Sequence, residues 1–211
     1  MDEKNIYGEI IDLEWEMFDH TQNIGGRASC QENKRGFIAN RMCQFLAWNE
    51  ETLESYLEDL KKAKAEDRNL MVEKYARMMA PVYTSEYNEL AAYLPKITEE
   101  KAELVRQIVD MQMEWMLETT EIYPVFTGFG RPKETEQDEE YDTSYQSYLR
   151  GELSTYSVET LTSYLKYITE LKAEGKNIYE MILQNTAHAY GFEDARAAEE
   201  NLKKYIEEHQ G

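Results

Sequence analysis

Residues 51–70, ETLESYLEDLKKAKAEDRNL, put Leu53, Tyr56, Leu57 and Leu60 at i, i+3, i+4 and i+7, with charged residues between them. Those positions share one face of a 3.6-residue helix, so the segment predicts an amphipathic helix with an inward apolar stripe. Upstream, the pattern predicts a first helix over roughly 7–20, a polar loop over 21–33 and a second helix near 34–47. Asn49 stands where it would cap the third helix and Asn69 where it would cap a fourth; a fifth is expected near 84–94. In YLPKITEEK, Pro95 and Thr98 read as a stop and a restart. No stretch alternates with period two for long enough to predict a strand, so the expected fold class is all-α.

The pattern then recurs. Residues 159–178, ETLTSYLKYITELKAEGKNI, match residues 51–70 at ten of twenty positions with an offset of 108, where ordinary residue frequencies give about one. Leu161, Tyr164, Leu165 and Ile168 repeat the stripe, Ser157 and Asn177 repeat the caps, and Glu180 completes a capping box with Asn177. At an offset of 98, EIIDLEWEMF (9–18) lies over QIVDMQMEWM (107–116), and a last helix is expected near 193–208. These features predict one all-α domain over 1–211, built from two similar five-helix repeats, 7–95 and 99–209, about a pseudo-two-fold axis.

Charge narrows the partners. The chain carries 42 acidic and 23 basic residues, a formal net charge of −19, and no basic run of the kind that phosphate backbones require. Neither nucleic acid nor an anionic membrane is expected as a partner. The first residues, MDEKNIYGEI, lack the basic, apolar and cleavage regions of a secretory signal. No apolar run approaches the roughly 20 residues that span a bilayer. Two cysteines, Cys30 and Cys43, fit neither a disulfide framework nor a Cys-x-x-Cys site. A reduced, cytoplasmic protein is the expectation.

Polar residues on apolar faces supply the candidate chemistry. Glu14 has Ile10, Ile11, Met17 and Phe18 three and four residues away, so its carboxylate points into a core face. At offset 98 its counterpart Gln112 is flanked by Ile108, Val109, Trp115 and Met116; Arg41 lies among Phe37, Ile38 and Phe45, and Glu152 among Tyr148, Leu149 and Tyr156. A buried charge costs several kcal/mol unless it is paired, so these residues require partners. The polar loops NIGGRASCQ and TGFGR offer Arg27, Ser29, Gln31 and Arg131, while Gly25 and Gly26 would allow a positive φ or a close backbone approach before the next helix. Two outcomes are open: a closed salt-bridge network that locks helix to helix, or a polar cavity between the repeats that holds a small anionic metabolite. In the second, Arg27 and Arg150 clamp the anion, Glu14 or Glu152 acts as acid or base, and Trp15 and Tyr156 wall the pocket. Cys30 is a further candidate nucleophile, with His20 as its only nearby base. The segment 128–142 is expected to be a lid over the cavity or a disordered insertion.

No Glu-x-x-His pair suggests a di-iron centre, and Glu16 with His20 reads as a solvated pair rather than a metal site. Neither a phosphate-binding Gly-rich loop nor a dinucleotide fingerprint occurs, so no cofactor is expected.

The segments LEWEMFDHTQNIGGRASCQ, RMCQFLAW and YDTSYQSYLRGELSTYS resemble the bacterial family catalogued as domain of unknown function 4125, over nearly the whole chain. Its recurring blocks fall on Glu14 and Trp15, Gly25 to Gln31, Arg41 with Gln44, and Arg150 to Ser157. The resemblance implies a bacterial, cytoplasmic protein and carries no assigned reaction. Whether the chain is an enzyme stays open. The alternative to a metabolite-binding protein is an adaptor that docks another protein on a helix face.

Overall fold

A computed structural model describes residues 5–22, 26–139 and 142–209. Eleven α-helices occur among them: α1 (Ile6–Asp19), α2 (Lys34–Phe45), α3 (Glu50–Ala65), α4 (Leu70–Met78), α5 (Thr84–Ala91), α6 (Glu99–Ile122), α7 (Pro124–Thr127), α8 (Tyr145–Leu153), α9 (Val158–Ala173), α10 (Ile178–Ala189) and α11 (Ala195–His209). The all-α reading is therefore correct. Side-chain oxygens of Asn49, Asn69, Thr98, Ser157 and Asn177 accept from the first-turn amides of α3, α4, α6, α9 and α10, satisfying donors that a helix start leaves open. Glu180 does not return to Asn177 as a capping box would; its carboxylate accepts from the Tyr123 hydroxyl at 3.2 Å.

Helix α1 packs on α3, and α6 packs on α9. The halves then cross over, α4 lying on α8 and α2 on α10. Where α3 meets α9, Thr52 Oγ1 and Ser163 Oγ are 3.1 Å apart and Ser55 Oγ and Thr160 Oγ1 are 2.7 Å apart. Beside these pairs the Tyr56 and Tyr156 rings lie 4.7 Å apart and the Trp48 and Tyr164 rings 4.8 Å apart. One apolar core runs through these contacts and includes Ile10, Phe45, Leu53, Leu60, Ile108, Leu161 and Ile168. A smaller cluster of Tyr123, Ala187, Ala195 and Ala198 joins α7, α10 and α11. Glu199 closes that cluster, accepting from the Val125 and Phe126 amides at the start of α7.

The segment 128–142 is tied down rather than free where it is described, residues 140–141 lying outside the description. Asp138 accepts from the Ser144 amide at 2.6 Å and the Ser147 hydroxyl at 2.5 Å, and Gln146 Oε1 accepts from the amide and hydroxyl of Thr135. These bonds dock the segment on the first turn of α8.

Helices α4 and α8 approach closely at Gly151. A Cβ there would stand 2.8 Å from Met78 Cγ and 3.1 Å from the Lys74 carbonyl oxygen, closer than side-chain carbons pack. Gly151→Val should therefore force α4 away from α8 at a cost of about 1–3 kcal/mol. We expect a melting midpoint lower by roughly 2–12 °C at this chain length; an unchanged midpoint would mean that the helices yield freely.

Candidate functional site

Four charged side chains converge where α1, α2, α4 and α8 meet. Arg41 donates from Nε to Glu14 Oε2 at 2.6 Å and from Nη2 to Glu14 Oε1 at 2.5 Å, the bidentate arrangement that suits guanidinium to carboxylate. Its Nη1 donates to Glu152 Oε1 at 3.0 Å and to Gln44 Oε1 at 2.6 Å. Lys74 Nζ donates to Glu152 Oε2 at 2.5 Å. Two hydroxyls complete the set, Tyr56 donating to Glu14 at 2.7 Å and Tyr156 to Glu152 at 2.8 Å. Two carboxylates and two cations sum to zero charge. Their exposures are 0% for Glu14, 5% for Arg41, 3% for Lys74 and 4% for Glu152, so water supplies little of their solvation and pairing supplies most of it.

The electrostatics follow. Burial pushes the Glu152 carboxyl up, but Arg41 and Lys74 outweigh it and hold the group well below the usual carboxylate range. Burial likewise disfavours the charged forms of Arg41 and Lys74; Glu14 and Glu152 around the first, and Glu152 beside the second, overcome this and raise both. Burial, reinforced by the nearby carboxylates, drives the Tyr56 and Tyr156 hydroxyls well above their ordinary value, so both remain neutral donors.

One edge of this network opens on a cleft of about 260 Å³. Arg41, Lys74 and Arg131 line it, with Phe18, Phe37, Tyr75 and Tyr148 as aromatic walls and Cys30, Asn33 and Asn40 as smaller polar groups. Among its described lining residues there is no aspartate or glutamate. Lys74 Nζ stands 3.6 Å from the centre of the Tyr148 ring, and Arg131 Cζ stands 4.7 Å from the same centre. Arg131 is exposed, donates to the Thr143 carbonyl at 3.0 Å and forms no ion pair with a described carboxylate. Burial pushes the Tyr75 phenol up to about 12, which keeps it a neutral hydrogen-bonding group at neutral pH. A larger open groove, about 650 Å³, lies between α9 and α10 and carries Glu170, Glu174 and Glu180. It contains none of the candidate catalytic or ligand-binding residues named from the sequence.

The structure thus brings Glu14, Arg41, Gln44, Glu152 and Tyr156 together in the network, and Cys30, Arg41 and Arg131 on the cleft. Other expected members lie elsewhere. Arg27 is half-exposed and bonded to Asp19, Glu32 and the Gln31 carbonyl, so its charge is spent on its own loop and the end of α1. Gln31 is buried, its amide donating to the Phe18 and Thr21 carbonyls and its Oε1 accepting from the Ala28 amide; it fastens the loop beneath the end of α1. Ser29 is exposed, Gly26 has φ +91° as expected of a glycine turn, and Gly25 lies outside the described residues. Arg150 lines shallow pockets on the other side of α8 with Ser154 and Ile97. Residues two apart on a helix differ by about 200°, so Arg150 and Glu152 face apart. Trp15 does not line the cleft but packs edge-on against Phe18 and Phe37, which do. Tyr156 is a buried donor and not a wall. Gln112 meets Tyr164 and Tyr145 at 3.0 Å each, a neutral pairing in the other half of the fold. Cys30 is a free, exposed thiol, and the His20 ring is engaged with the Glu16 carbonyl rather than with it.

Lys74 is the residue that sequence reasoning missed. Its neighbours three and four away are Leu70, Met71, Arg77 and Met78, so the apolar-face criterion that found Arg41 would have found it as well.

Residues 4–200 match the family model described as Protein of unknown function (DUF4125). No curated protein and no solved structure matches the chain.

Proposed function

The chain belongs to the family of proteins of unknown function DUF4125, and from the charge of its cleft we propose that it binds a small anionic metabolite there. The observation that carries the reading is a contrast: a chain of formal charge −19 lines this cleft with three cations and no described carboxylate. Arg41 and Lys74 are balanced by Glu14 and Glu152, so Arg131 leaves the cleft with a net positive charge for an anion to neutralise. Lys74 also keeps ammonium hydrogens beyond the one given to Glu152, and the Tyr75 and Tyr148 hydroxyls form no hydrogen bond with a described residue. Glu14 and Glu152 lie behind the cleft with both oxygens of each engaged, which favours binding over acid–base conversion. Arg131 and Lys74 take the clamping role expected of Arg27 and Arg150.

The reading includes an internal duplication about a pseudo-two-fold axis. Reciprocal contacts support it: shifted by 108, the pair Thr52–Ser163 becomes Thr160–Ser55, and Tyr56–Tyr156 becomes Tyr164–Trp48. The same shift takes Arg41 to Leu149 and Lys74 to Ile182, and the shift of 98 takes Glu14 to Gln112. Three of the four network charges lie in the first copy, and the fourth, Glu152, lies in the second opposite the neutral Gln44. The two free cysteines suit a reducing, cytoplasmic setting.

Arg131→Ala tests the reading because its side chain is exposed. Its midpoint should stay within about 1–2 °C of wild type, as surface substitutions do, while the stabilisation that wild type gains from small carboxylates disappears. Full stabilisation in the variant would refute the cleft as the binding site.

A second reading, docking of another protein, rests on α5. None of its eight residues is buried; Leu90 within it is 40% exposed and Tyr93 just after it 86%. Capture of a partner lost on Tyr93→Ser would favour it.

A further inference from the structure

On the reading that this cleft holds an anion, we infer that its occupant is a small aromatic acid: one flat ring carrying one carboxylate. Size is the first ground. A dry cavity of about 150 Å³ accepts benzene, so about 260 Å³ accommodates a benzene ring with an anionic head. Acetate or inorganic phosphate would leave most of that space to water at about 30 Å³ per molecule, and the volume falls short of the roughly 300–1,000 Å³ typical of sites for drug-sized ligands and cofactors.

The distribution of side chains is the second ground. Positive charge gathers at one place, because Lys74 and Arg131 stand 3.6 and 4.7 Å from the centre of a single ring, Tyr148. Three further rings line the cleft beside it, the centre of Tyr75 standing 5.8 Å from Lys74 Nζ. Phe18 of α1 and Phe37 of α2 stack with centres 5.1 Å apart and planes 14° from parallel, and Tyr75 lies 6.3 Å from Phe18. Phe37 and Tyr75 are only partly buried although both line the cleft, so each keeps ring surface for a ligand to cover. A bare anion would use the cations and leave these rings wet. A ring placed against them gains about twofold to tenfold in affinity for each ring contact of the offset or edge-to-face kind. The lining is thus amphipathic, and so is its occupant.

Calorimetric titration of the wild-type protein with acetate, inorganic phosphate, cyclohexanecarboxylate and benzoate tests this. Benzoate is expected to bind at least tenfold more tightly than acetate or phosphate and more tightly than cyclohexanecarboxylate. Phe37→Leu, and Phe37→Ala where it folds, should lower benzoate affinity toward that of acetate while leaving acetate unchanged. Equal affinity for all four, or tightest binding of phosphate, overturns the aromatic acid and leaves the anion cleft standing. Equal binding of cyclohexanecarboxylate and benzoate overturns the requirement for an aromatic ring. Failure of all four to bind overturns the inference together with the reading it rests on.

Discussion

Arg41→Ala is expected to lower the melting midpoint by roughly 6–20 °C. Arg41 is the hub of the buried network: it holds Glu14 through two bonds and reaches Glu152 and Gln44 through a third nitrogen. Alanine leaves two buried carboxylates facing one lysine, and removing one partner from a buried ion network typically costs 3–5 kcal/mol. For a chain of this length each kcal/mol moves the midpoint by roughly 2–4 °C. Arg41→Lys should recover little, because an ammonium cannot fork toward Glu14 and also bridge to Glu152. Thermal unfolding by circular dichroism measures both variants. A loss of less than about 2 °C for Arg41→Ala would show that the charges are solvated or neutralised by other means.

Acid should unfold the protein through Glu152. Its carboxyl is held well below the 4.5 of an unperturbed glutamate. A group with its folded value depressed contributes stability that is complete above the unfolded value and is lost as pH falls through the folded one. Stability should therefore decline from about pH 5 downward, the unfolded chain taking up a proton that the native network refuses. Arg41 and Lys74 are shifted upward, so what they contribute is fully present below the ordinary lysine value of 10.5 and is lost only above it. The prediction is a stability–pH slope that steepens from pH 5 to 3 as the unfolded glutamate takes up its proton, the Glu152 part approaching about 1.4 kcal/mol per pH unit near pH 3. Glu152→Gln, less stable at neutral pH, should lack that part of the slope. Denaturant unfolding at stepped pH compares the two, and parallel slopes would contradict the assignment.

The network was legible in the sequence because burial is periodic. Glu14, Arg41 and Glu152 interrupt apolar faces at helical spacing, and charges in such places must meet one another. The same logic placed the caps at Asn49, Asn69, Ser157 and Asn177, since a helix start needs acceptors whatever surrounds it. Lys74 obeys the same rule, with Leu70, Met71 and Met78 on its face of the helix. The cleft walls were not legible. Tyr75 and Tyr148 come together only because α4 crosses onto α8, a contact between distant segments that no local pattern encodes. Arg27 and Arg150 show the opposite failure, in which residue type suggested a clamp and geometry denied it. Asp19 and Glu32 satisfy Arg27 within a few residues of sequence, and helical rotation turns Arg150 away from Glu152. Residue chemistry identified the groups that need partners, while packing decided which of them face a ligand.

Among these groups Arg131 separates the two outcomes, a closed lock between helices or a site. The most direct measurement is the side-chain Nε–H resonance of Arg131 during titration with acetate, the smallest carboxylate and one that any anion cleft should admit. A saturable shift of Arg131 is expected while the resonances of Arg106 and Arg150 stay in place. An unmoved Arg131, or equal shifts at all three arginines, would contradict binding in the cleft and leave the buried network as a structural lock.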